Sequence, residues 1–413
     1  MNKCIRSWIR ASGLVLFAST IQAGPVTTVP WNGHPGAVSF TFDDGCQSQL
    51  DHIIQPLKDR KINATFFLYN AGNAFTGNQA AWVAVAKDGN ELGNHTLDHA
   101  DLNNSATNGT AEVTGMATLL RNADPSIQAV TLAYPGCSVG SASAVGAESF
   151  IARSCMFGGG PFTPMAWKDQ PSNWLNVPAI YMADSTLAKA AMASMDAAKS
   201  GGGWIPTLDH GVSGDWLSLP TDSITKMFDH AISDGLWIGT FQDVGAYWRA
   251  SFTMDNVSVS GSSPWTLTWT SPHPKMPKSV KLKVKLDAAT FGNTITVSQD
   301  NAMIPANSDG SYTIDFMKLK LTVTKGSTGI GDPIIYGRVR ATVSGATLVF
   351  SGLTAGNYSL SLRSISGTLL GRTPLNATSD EERMALPSGA RGRILAILDA
   401  PGKETRVFPL MVP

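Results

Sequence analysis

Between Ala37 and Arg249 the sequence alternates short β-rich runs with longer helical stretches, and this alternation limits the fold more than any other feature. Seven strands are predicted, at residues 38–42, 64–68, 91–93, 129–133, 177–180, 204–208 and 236–240. Five helices are predicted between them, at residues 47–59, 79–87, 110–121, 185–198 and 221–233, with Thr221 as the last N-cap. Strands separated by helices pair in parallel. The pattern therefore predicts an α/β fold, a distorted or incomplete (β/α) barrel of about seven parallel strands.

Beyond Ala250 the helical periodicity disappears. Apolar residues alternate with lysines over 280–286, and a similar alternation covers 312–316, as in half-buried antiparallel strands. A Gly-rich stretch at 326–333 predicts a boundary. We therefore predict a β-sandwich-like accessory domain over 251–330 and a β-rich region over 331–413. That last region is weakly similar to the sorting domains of some secreted bacterial proteins, with a plain structural module as the alternative.

The first 23 residues have the pattern of a secretory signal peptide. Three basic residues precede the apolar stretch 14–18, and Ile21-Gln22-Ala23 predicts a cleavage site that ends in a small residue before Gly24. The apolar stretch is shorter than the roughly 20 residues that cross a bilayer, so no membrane span is predicted. We expect removal of residues 1–23 and a secreted or cell-surface protein, extracellular or periplasmic.

The charge composition argues against a nucleic-acid partner. Lys and Arg total 31, Asp and Glu total 31, and no basic block exists that would neutralise a run of phosphates. Nothing in the sequence predicts an oligomeric state.

Removal of the leader leaves three cysteines, Cys46, Cys137 and Cys155, so at most one intrachain disulfide forms. We prefer the pair Cys137–Cys155, which flanks the segment after the fourth predicted strand. A bond from Cys46 to either of them is the alternative.

Polar residues follow four of the predicted strands, at the ends where (β/α) barrels place their active-site loops. The four stretches are Thr-Phe-Asp-Asp-Gly at 41–45, His-Thr-Leu-Asp-His at 95–99, Ala-Tyr-Pro-Gly at 133–136 and Leu-Asp-His-Gly at 208–211. Two histidines four residues apart lie on one face of a helical turn, and a carboxylate from Asp44 would complete three ligands for a divalent ion. Surface or capping roles are the alternatives.

Together these stretches resemble the polysaccharide deacetylase family, the NodB-homology group of carbohydrate esterase family 4, over roughly 37–249. Thr-Phe-Asp-Asp-Gly and His-Thr-x-x-His are specific as a pair, and 63–67 and 90–94 also look like the family. The resemblance implies a catalytic domain over 24–250 and an acetylated polysaccharide or oligosaccharide substrate. It also implies a divalent metal, with zinc expected first and cobalt or nickel as alternatives.

The resemblance assigns roles residue by residue. Asp43 would be the general base and His210 the general acid. The metal ligands would be Asp44, His95 and His99.

Further candidates for substrate contact follow the later strands. Backbone amides near Tyr134, Pro135 and Gly136 would face the developing oxyanion. Trp167 and Trp216 would stack on sugar rings, with core packing as the alternative.

The match departs from the family at two places. Many members carry an arginine two residues before the proline of the fourth-strand motif, where it orients the base, and this chain has Ala133 there. Either another residue holds Asp43, or the pKa of its carboxyl is less controlled. The carboxylate partner of His210 also stays open, among Asp169, Asp209 and Asp243.

We expect a secreted, metal-dependent carbohydrate deacetylase, first an acetylxylan esterase. An N-deacetylase acting on chitin or peptidoglycan is one alternative. An inactive glycan-binding relative is another, against which the intact set of candidate catalytic and metal-binding residues argues.

Overall fold

The computed structural model describes residues 24–156, 162–182, 184–326, 339–353, 356–379, 381–399 and 406–412. The predicted signal peptide, and the predicted boundary at 326–333 apart from Gly326, lie outside these residues. None of the described helices is both long and apolar enough to cross a membrane. The chain divides into two compact units, the first containing residues up to 258, 269–287 and 308–319, and the second the remainder.

The first unit alternates strands and helices. Its strands up to residue 258 are β1 (Val26–Thr28), β2 (Ala37–Ser39), β3 (Thr41–Asp43), β4 (Thr65–Leu68), β5 (Glu91–Asn94), β6 (Thr131–Ala133), β7 (Ile151–Arg153), β8 (Met165–Ala166), β9 (Ile180–Tyr181), β10 (Gly203–Leu208) and β11 (Trp237–Ile238). Its helices are α1 (Gln47–His52), α2 (Ile54–Arg60), α3 (Gln79–Lys87), α4 (Gly109–Ala123), α5 (Ala142–Glu148), α6 (Ser185–Gly201), α7 (Thr221–Ser233) and α8 (Phe241–Met254).

Parallel pairing organises most of these strands into a distorted barrel, whereas β8 pairs antiparallel with β10. Strands β3, β4, β5, β6 and β7 form one curled parallel sheet in that order. A second sheet has the order β11-β2-β10-β8, with β9 paired to β10. The two sheets meet at β2 and β3, because β10 pairs with β2 and Asp209 bridges to Phe42. The predicted distorted (β/α) barrel is confirmed.

The two faces of the curled sheet differ in polarity, since side chains alternate along each strand. Phe42, Phe66 and Leu92 face the helices and belong to the apolar core. The alternate residues of these strands and of β6 and β7 project to the barrel interior, which is polar for a protein core; they include Thr41, Asp43, Thr65, Glu91, Thr131 and Arg153. The interior face therefore supplies the side chains of the candidate site.

Several predicted elements differ from the observed ones. The predicted strand 38–42 is interrupted at Phe40, and the predicted helix 47–59 is interrupted at Ile53. Thr221 is the first residue of α7, whose N-cap is Pro220, so the predicted N-cap is wrong. Strand β7 and helices α5 and α8 are not among the predicted elements. The three residues of β7 include an arginine, so they lack the apolar run by which strands are detected.

The later part of the chain is β-rich. Its strands are β12 (Ser258–Ser260), β13 (Trp265–Thr268), β14 (Lys281–Leu286), β15 (Ile295–Gln299), β16 (Ala302–Ile304), β17 (Tyr312–Asp315), β18 (Lys320–Lys325), β19 (Arg340–Ser344), β20 (Thr347–Ser351), β21 (Gly356–Ser364), β22 (Leu369–Ala377), β23 (Glu381–Ala385), β24 (Gly392–Asp399) and β25 (Arg406–Val412). The short helix α9 covers Ala288–Phe291.

Strand β14 pairs antiparallel with β1 on one side and with β17 on the other, and these strands lie in the first unit. In the second unit the described strands form sheets with the orders β12-β13-β18-β15-β16, β19-β20-β23 and β22-β21-β24-β25. Apolar residues of the last two sheets share one core, which includes Leu348, Phe350, Leu360, Ile394 and Phe408.

Candidate active site

The carboxyl ends of β3 and β5 bring together Asp44, His95 and His99. Asp44 Oδ1 lies 3.5 Å from His95 Nε2 and 3.3 Å from His99 Nε2. The two imidazole rings meet edge to face, with their centroids 4.9 Å apart. The ligand atoms of all three residues lie within 4.8 Å of one another. The structure thus assembles the three predicted ligands in one place.

The local backbone is unusual at this cluster. Asp44, Thr96 and His99 all have positive φ, at 72°, 65° and 57°. Non-glycine residues adopt this conformation only where the surroundings enforce it, and such positions concentrate at functional sites. The turns that follow β3 and β5 therefore hold Asp44 and His99 in orientations that an ordinary loop would not favour.

The orientation of His95 follows from a backbone contact. Its Nδ1 lies 2.8 Å from the carbonyl oxygen of Ala133 at the end of β6. A carbonyl only accepts, so Nδ1 donates the proton, and the lone pair of neutral His95 is on Nε2, toward Asp44. Metal-binding histidines are commonly oriented in this way.

These residues fit a divalent ion of the zinc class. Asp44 Oδ1 is buried without a hydrogen bond of good geometry. Burial alone would raise the pKa of Asp44, but His95 and His99 outweigh it and hold that pKa well below its usual range. Burial would lower the pKa of His95, but the negative charges of Asp43 and Asp44 raise it overall. One carboxylate oxygen and two imidazole nitrogens are ligands that zinc prefers, and three protein ligands leave a position for substrate.

Asp43 and His210 flank the cluster. Asp43 Oδ2 lies 3.9 Å from His95 Nε2, and His210 Nε2 lies 3.9 Å from Asp44 Oδ2. Gln49, in α1, donates through Nε2 to the carbonyl oxygens of both Asp43 and His210, at 2.6 and 2.9 Å. Burial lowers the pKa of His210, and the neighbouring carboxylates offset part of that effect. Gln49 thus ties the backbones of these two residues together, a role that the sequence did not indicate.

Asp43 is paired with a residue that the sequence did not single out. Arg153 Nη2 contacts Asp43 Oδ1, and both side chains are buried. This arginine is the last residue of β7, the strand absent from the predicted set. A predicted strand at 151–153 would have placed Arg153 at the same end of the barrel as the other site residues.

None of the three candidate partners of His210 is bonded to it among the described residues. His210 Nδ1 is buried without a hydrogen-bond partner, and so are both carboxyl oxygens of Asp209. Burial, together with the charge of Asp43, raises the pKa of Asp209 well above its usual value, although Arg153 opposes this. Asp243 lies at the start of α8, where its amide is capped by Thr240, and Asp169 lies in the turn after β8. The carboxylate partner therefore stays unassigned.

The predicted oxyanion segment follows directly on Ala133, whose carbonyl holds His95. Tyr134 and Pro135 are buried, and Gly136 is exposed with a φ of 58°. The amide of Tyr134 donates to the carbonyl of Arg153, and proline has no amide hydrogen. Within 134–136, Gly136 therefore carries the backbone amide that is not committed to a described hydrogen bond.

The two candidate tryptophans lie in different surroundings. Trp216 is 62% exposed, and its ring lies 5.0 Å from that of His210. Trp167 is buried and packs at 4.9 Å against Trp31 and at 5.9 Å against Tyr247. The structure thus brings Trp216 to the site and places Trp167 in an aromatic cluster, as the packing alternative describes.

Two tyrosines not named from the sequence also border the site. The ring of Tyr69 lies 5.1 Å from that of His99, and the ring of Tyr181 lies 5.8 Å from that of His210. Aromatic side chains therefore border both histidines at the rim of the site.

A disulfide joins Cys137 to Cys155, with Cα atoms 5.5 Å apart, and Cys46 is free. The preferred pairing is confirmed. Burial raises the pKa of the Cys46 thiol to about 12, so this side chain is neutral at neutral pH.

A second group of similar residues lies between α6 and α7, where Asp196, His230 and Asp234 meet. Here Lys199 Nζ lies 2.8 Å from Asp234 Oδ1. The ammonium group already neutralises one carboxylate, so this group is less suited to a divalent ion than the Asp44 cluster.

Comparison with known proteins gives a family match and a set of similar folds. Residues 32–149 match the family profile described as polysaccharide deacetylase. No curated protein sequence matches the chain significantly.

Solved structures with a similar fold include three carbohydrate deacetylases or deacetylase domains that are under 20% identical to this chain. A peptidoglycan N-acetylglucosamine deacetylase shares 17% identity over 53% of this chain and 91% of that one, with a TM-score of 0.38. A chitin deacetylase from Colletotrichum lindemuthianum shares 19% identity over 51% and 88%, with a TM-score of 0.36. The Xyl-CE4 domain of a multidomain xylanase from the hindgut metagenome of Trinervitermes trinervoides shares 18% identity over 51% and 89%, with a TM-score of 0.35.

Proposed function

We propose that the chain is a polysaccharide deacetylase, since residues 32–149 match the profile of that family, and that it hydrolyses acetyl groups from a polysaccharide with the aid of a divalent metal ion. The observation that carries the proposal is the meeting of Asp44, His95 and His99 beside Asp43 and His210 at one end of the barrel.

Each residue has a separate task in this proposal. Asp44, His95 and His99 would hold the ion, zinc first and cobalt or nickel as alternatives. When bound there, such an ion supplies a Lewis acid that polarises a carbonyl and lowers the pKa of a bound water. Asp43 accepts the proton of the attacking water, since its Oδ2 faces the cluster and its Oδ1 is held by Arg153.

His210 donates a proton to the leaving oxygen or nitrogen. Its Nε2 lies 3.9 Å from Asp44 Oδ2, beside the proposed ligands, and an imidazole is a suitable acid near neutral pH. The amide of Gly136 is the donor that we assign to the developing oxyanion, and the exposed ring of Trp216 is the surface that we assign to a sugar ring.

We further propose secretion and an acetylated xylan as first substrate. The Cys137–Cys155 disulfide supports secretion, because disulfides persist in oxidising compartments. The substrate is the finer part of the proposal, with N-acetylated chitin or peptidoglycan as the alternative.

The test is acetate release from acetylxylan, chitin oligosaccharides and peptidoglycan, before and after treatment with a chelator and after return of zinc, cobalt or nickel. Release from acetylxylan alone, lost with chelator and restored by metal, supports the proposal in full. Release from an N-acetylated glycan alone supports the alternative. A folded, metal-loaded protein that binds glycan and releases no acetate would be an inactive relative.

A further inference from the structure

We propose that Arg153 is the positioning residue for Asp43, and that it acts from β7, the opposite edge of the curled sheet from β3. The inference rests on the proposed function, in which Asp43 is the general base.

The contact itself is a buried ion pair. The side chain of Arg153 is 1% exposed and that of Asp43 is 4% exposed. Arg153 Nη2 contacts Oδ1, and Oδ2 is the oxygen that faces the metal-ligand cluster, 3.9 Å from His95 Nε2. Arg153 thus holds one carboxylate oxygen and leaves the other directed at the place of reaction. Separating the pair would leave a buried charge without a partner, which is strongly unfavourable.

Residues on the neighbouring strands determine where the Arg153 side chain lies. Its guanidinium carbon lies 5.0 Å from the ring centroid of Phe67, the register partner of Asp43 on β4. Phe67 is in turn the register partner of Gly93 on β5, where a Cβ atom would lie 2.4 Å from the Phe67 ring. Glycine at 93 therefore permits the ring to occupy the position that supports the guanidinium.

The backbone of Arg153 is fixed on the side of β6. Arg153 pairs in register with Ala133, and its carbonyl accepts from the amide of Tyr134 at 3.1 Å. The Cys137–Cys155 disulfide joins the same two chain segments two residues beyond Arg153. Register partners project from the same face of a sheet. Arg153 therefore supplies a cation on this face from the strand next to Ala133. The small side chain of Ala133 leaves room there for the Arg153 side chain.

A competing acidic group lies close by and does not take the arginine. Asp209 is joined to β3 through its backbone, since its carbonyl accepts from Asp43 N at 2.8 Å. Both of its carboxyl oxygens are buried without a hydrogen bond to Arg153. The guanidinium therefore pairs with Asp43 and not with Asp209.

The main test compares Arg153→Gln with Arg121→Gln in the full-length, metal-loaded protein. Arg121 is the control arginine, because it forms an ion pair of 2.8 Å in the same unit with Glu148, a residue that has no role in the proposed function. Arg153→Gln should lower kcat by about 10- to 100-fold, with KM and metal content near the wild-type values, since misplacement of a catalytic group by an ångström costs about 100-fold. Arg121→Gln should keep the wild-type kcat. A folded, metal-loaded Arg153→Gln variant with the wild-type kcat would overturn the inference.

A second comparison does not depend on the folding of Arg153→Gln. Arg153→Lys keeps the charge but replaces the planar fork by a single ammonium group. If Arg153 acts through Asp43, Arg153→Lys should lower kcat in the wild-type background and leave the residual kcat of Asp43→Asn unchanged. An equal fold-loss in both backgrounds would mean that Arg153 does not act through Asp43.

Failure of this inference is distinct from failure of the proposed function. Acetate release by the wild-type protein, unaffected by either Arg153 substitution, overturns only the role of Arg153. Absence of acetate release by the folded, metal-loaded wild-type protein from every acetylated substrate overturns both.

Discussion

Ala133 and Arg153 lie side by side in register on the parallel strands β6 and β7, and both side chains project from the face that lines the site. The family resemblance leads us to expect an arginine at 133, and the alanine found there requires another residue to hold Asp43. The strand next to Ala133 supplies the guanidinium that contacts Asp43. The departure at 133 is therefore matched by a residue 20 positions later in the sequence.

Asp43→Asn should leave the metal bound and remove most of the activity. The substitution deletes the proton acceptor and keeps the ligands Asp44, His95 and His99, and loss of a general base costs about 10²- to 10⁴-fold in rate. Metal analysis and kcat on an aryl acetate, measured on the same preparation, check both parts. Near-normal turnover would assign the base to another group.

His99→Ala should reduce bound zinc from about one ion per chain to background, because it removes one of three protein ligands. The matched control is His230→Ala, in which the histidine also lies beside two aspartates but Lys199 already neutralises Asp234. Elemental analysis after dialysis measures the metal content. Loss of zinc in the His230 variant instead would place the ion between α6 and α7.

Glu91 should make the first unit less stable as pH rises. Burial raises its pKa to about 7, although hydrogen bonds from Thr131, Gln242 and Thr65 lower it. In the unfolded chain the pKa is about 4.3. Between these values the folded state binds more protons than the unfolded state. The free energy of unfolding is therefore unaffected by Glu91 ionisation below pH 4.3, and it decreases as pH rises from 4.3 to 7.

The free energy of unfolding should fall by about 3 kcal/mol between pH 5 and pH 8 because of Glu91. In Glu91→Gln this contribution should disappear, because the amide has no proton to lose. The measurement is the difference in free energy of unfolding between wild type and variant at the two pH values. An unchanged difference would show that Glu91 has an ordinary pKa in the folded protein.

The Cys137–Cys155 disulfide should stabilise the end of β7. The bond spans 18 residues, and a crosslink of that length contributes about 3 kcal/mol to the free energy of unfolding. We expect peptide mapping without reductant to find this pair, and we expect Cys137→Ser with Cys155→Ser to lower the unfolding temperature. Three free thiols among Cys46, Cys137 and Cys155 would contradict the assignment.

The sequence predicted best what depends on local periodicity. Helices α3 and α7 begin and end at the predicted residues, because their apolar side chains recur at helical spacing. The motifs at 41–45 and 95–99 also predicted that Asp44, His95 and His99 meet, since both motifs lie at the ends of strands of one parallel sheet.

Contacts made across the barrel could not be predicted in this way. Gln49 and Arg153 act on Asp43 from α1 and from the far edge of the sheet, and neither belongs to a local pattern. Trp167 follows a strand, as an active-site residue would, but its neighbours in space are Trp31 and Tyr247. Only the folded structure shows that Trp167 is packed in the core while Trp216 lies at the site.

The catalytic chemistry should survive removal of the last β-rich region, provided that the truncated chain keeps β14 and β17. Every residue with an assigned chemical role lies between Asp43 and Trp216. A chain that ends at Gly326 retains all segments of the first unit, so its kcat on small acetate esters should stay within about twofold of wild type.

A chain that ends at Ser258 is the contrasting variant, because it loses segments that complete the first unit. It leaves β1 without its partner β14, and it removes the ion pair of 3.0 Å between Lys275 and Glu148. It also removes the buried side chains of Leu282 and Val284, which exposes apolar surface and favours aggregation. We expect this shorter chain to be less stable, with a lower unfolding temperature and a smaller folded fraction. If the chain ending at Gly326 folds, binds metal and hydrolyses no acetate ester, then residues beyond 326 complete the active site and the proposed catalytic domain is drawn too small.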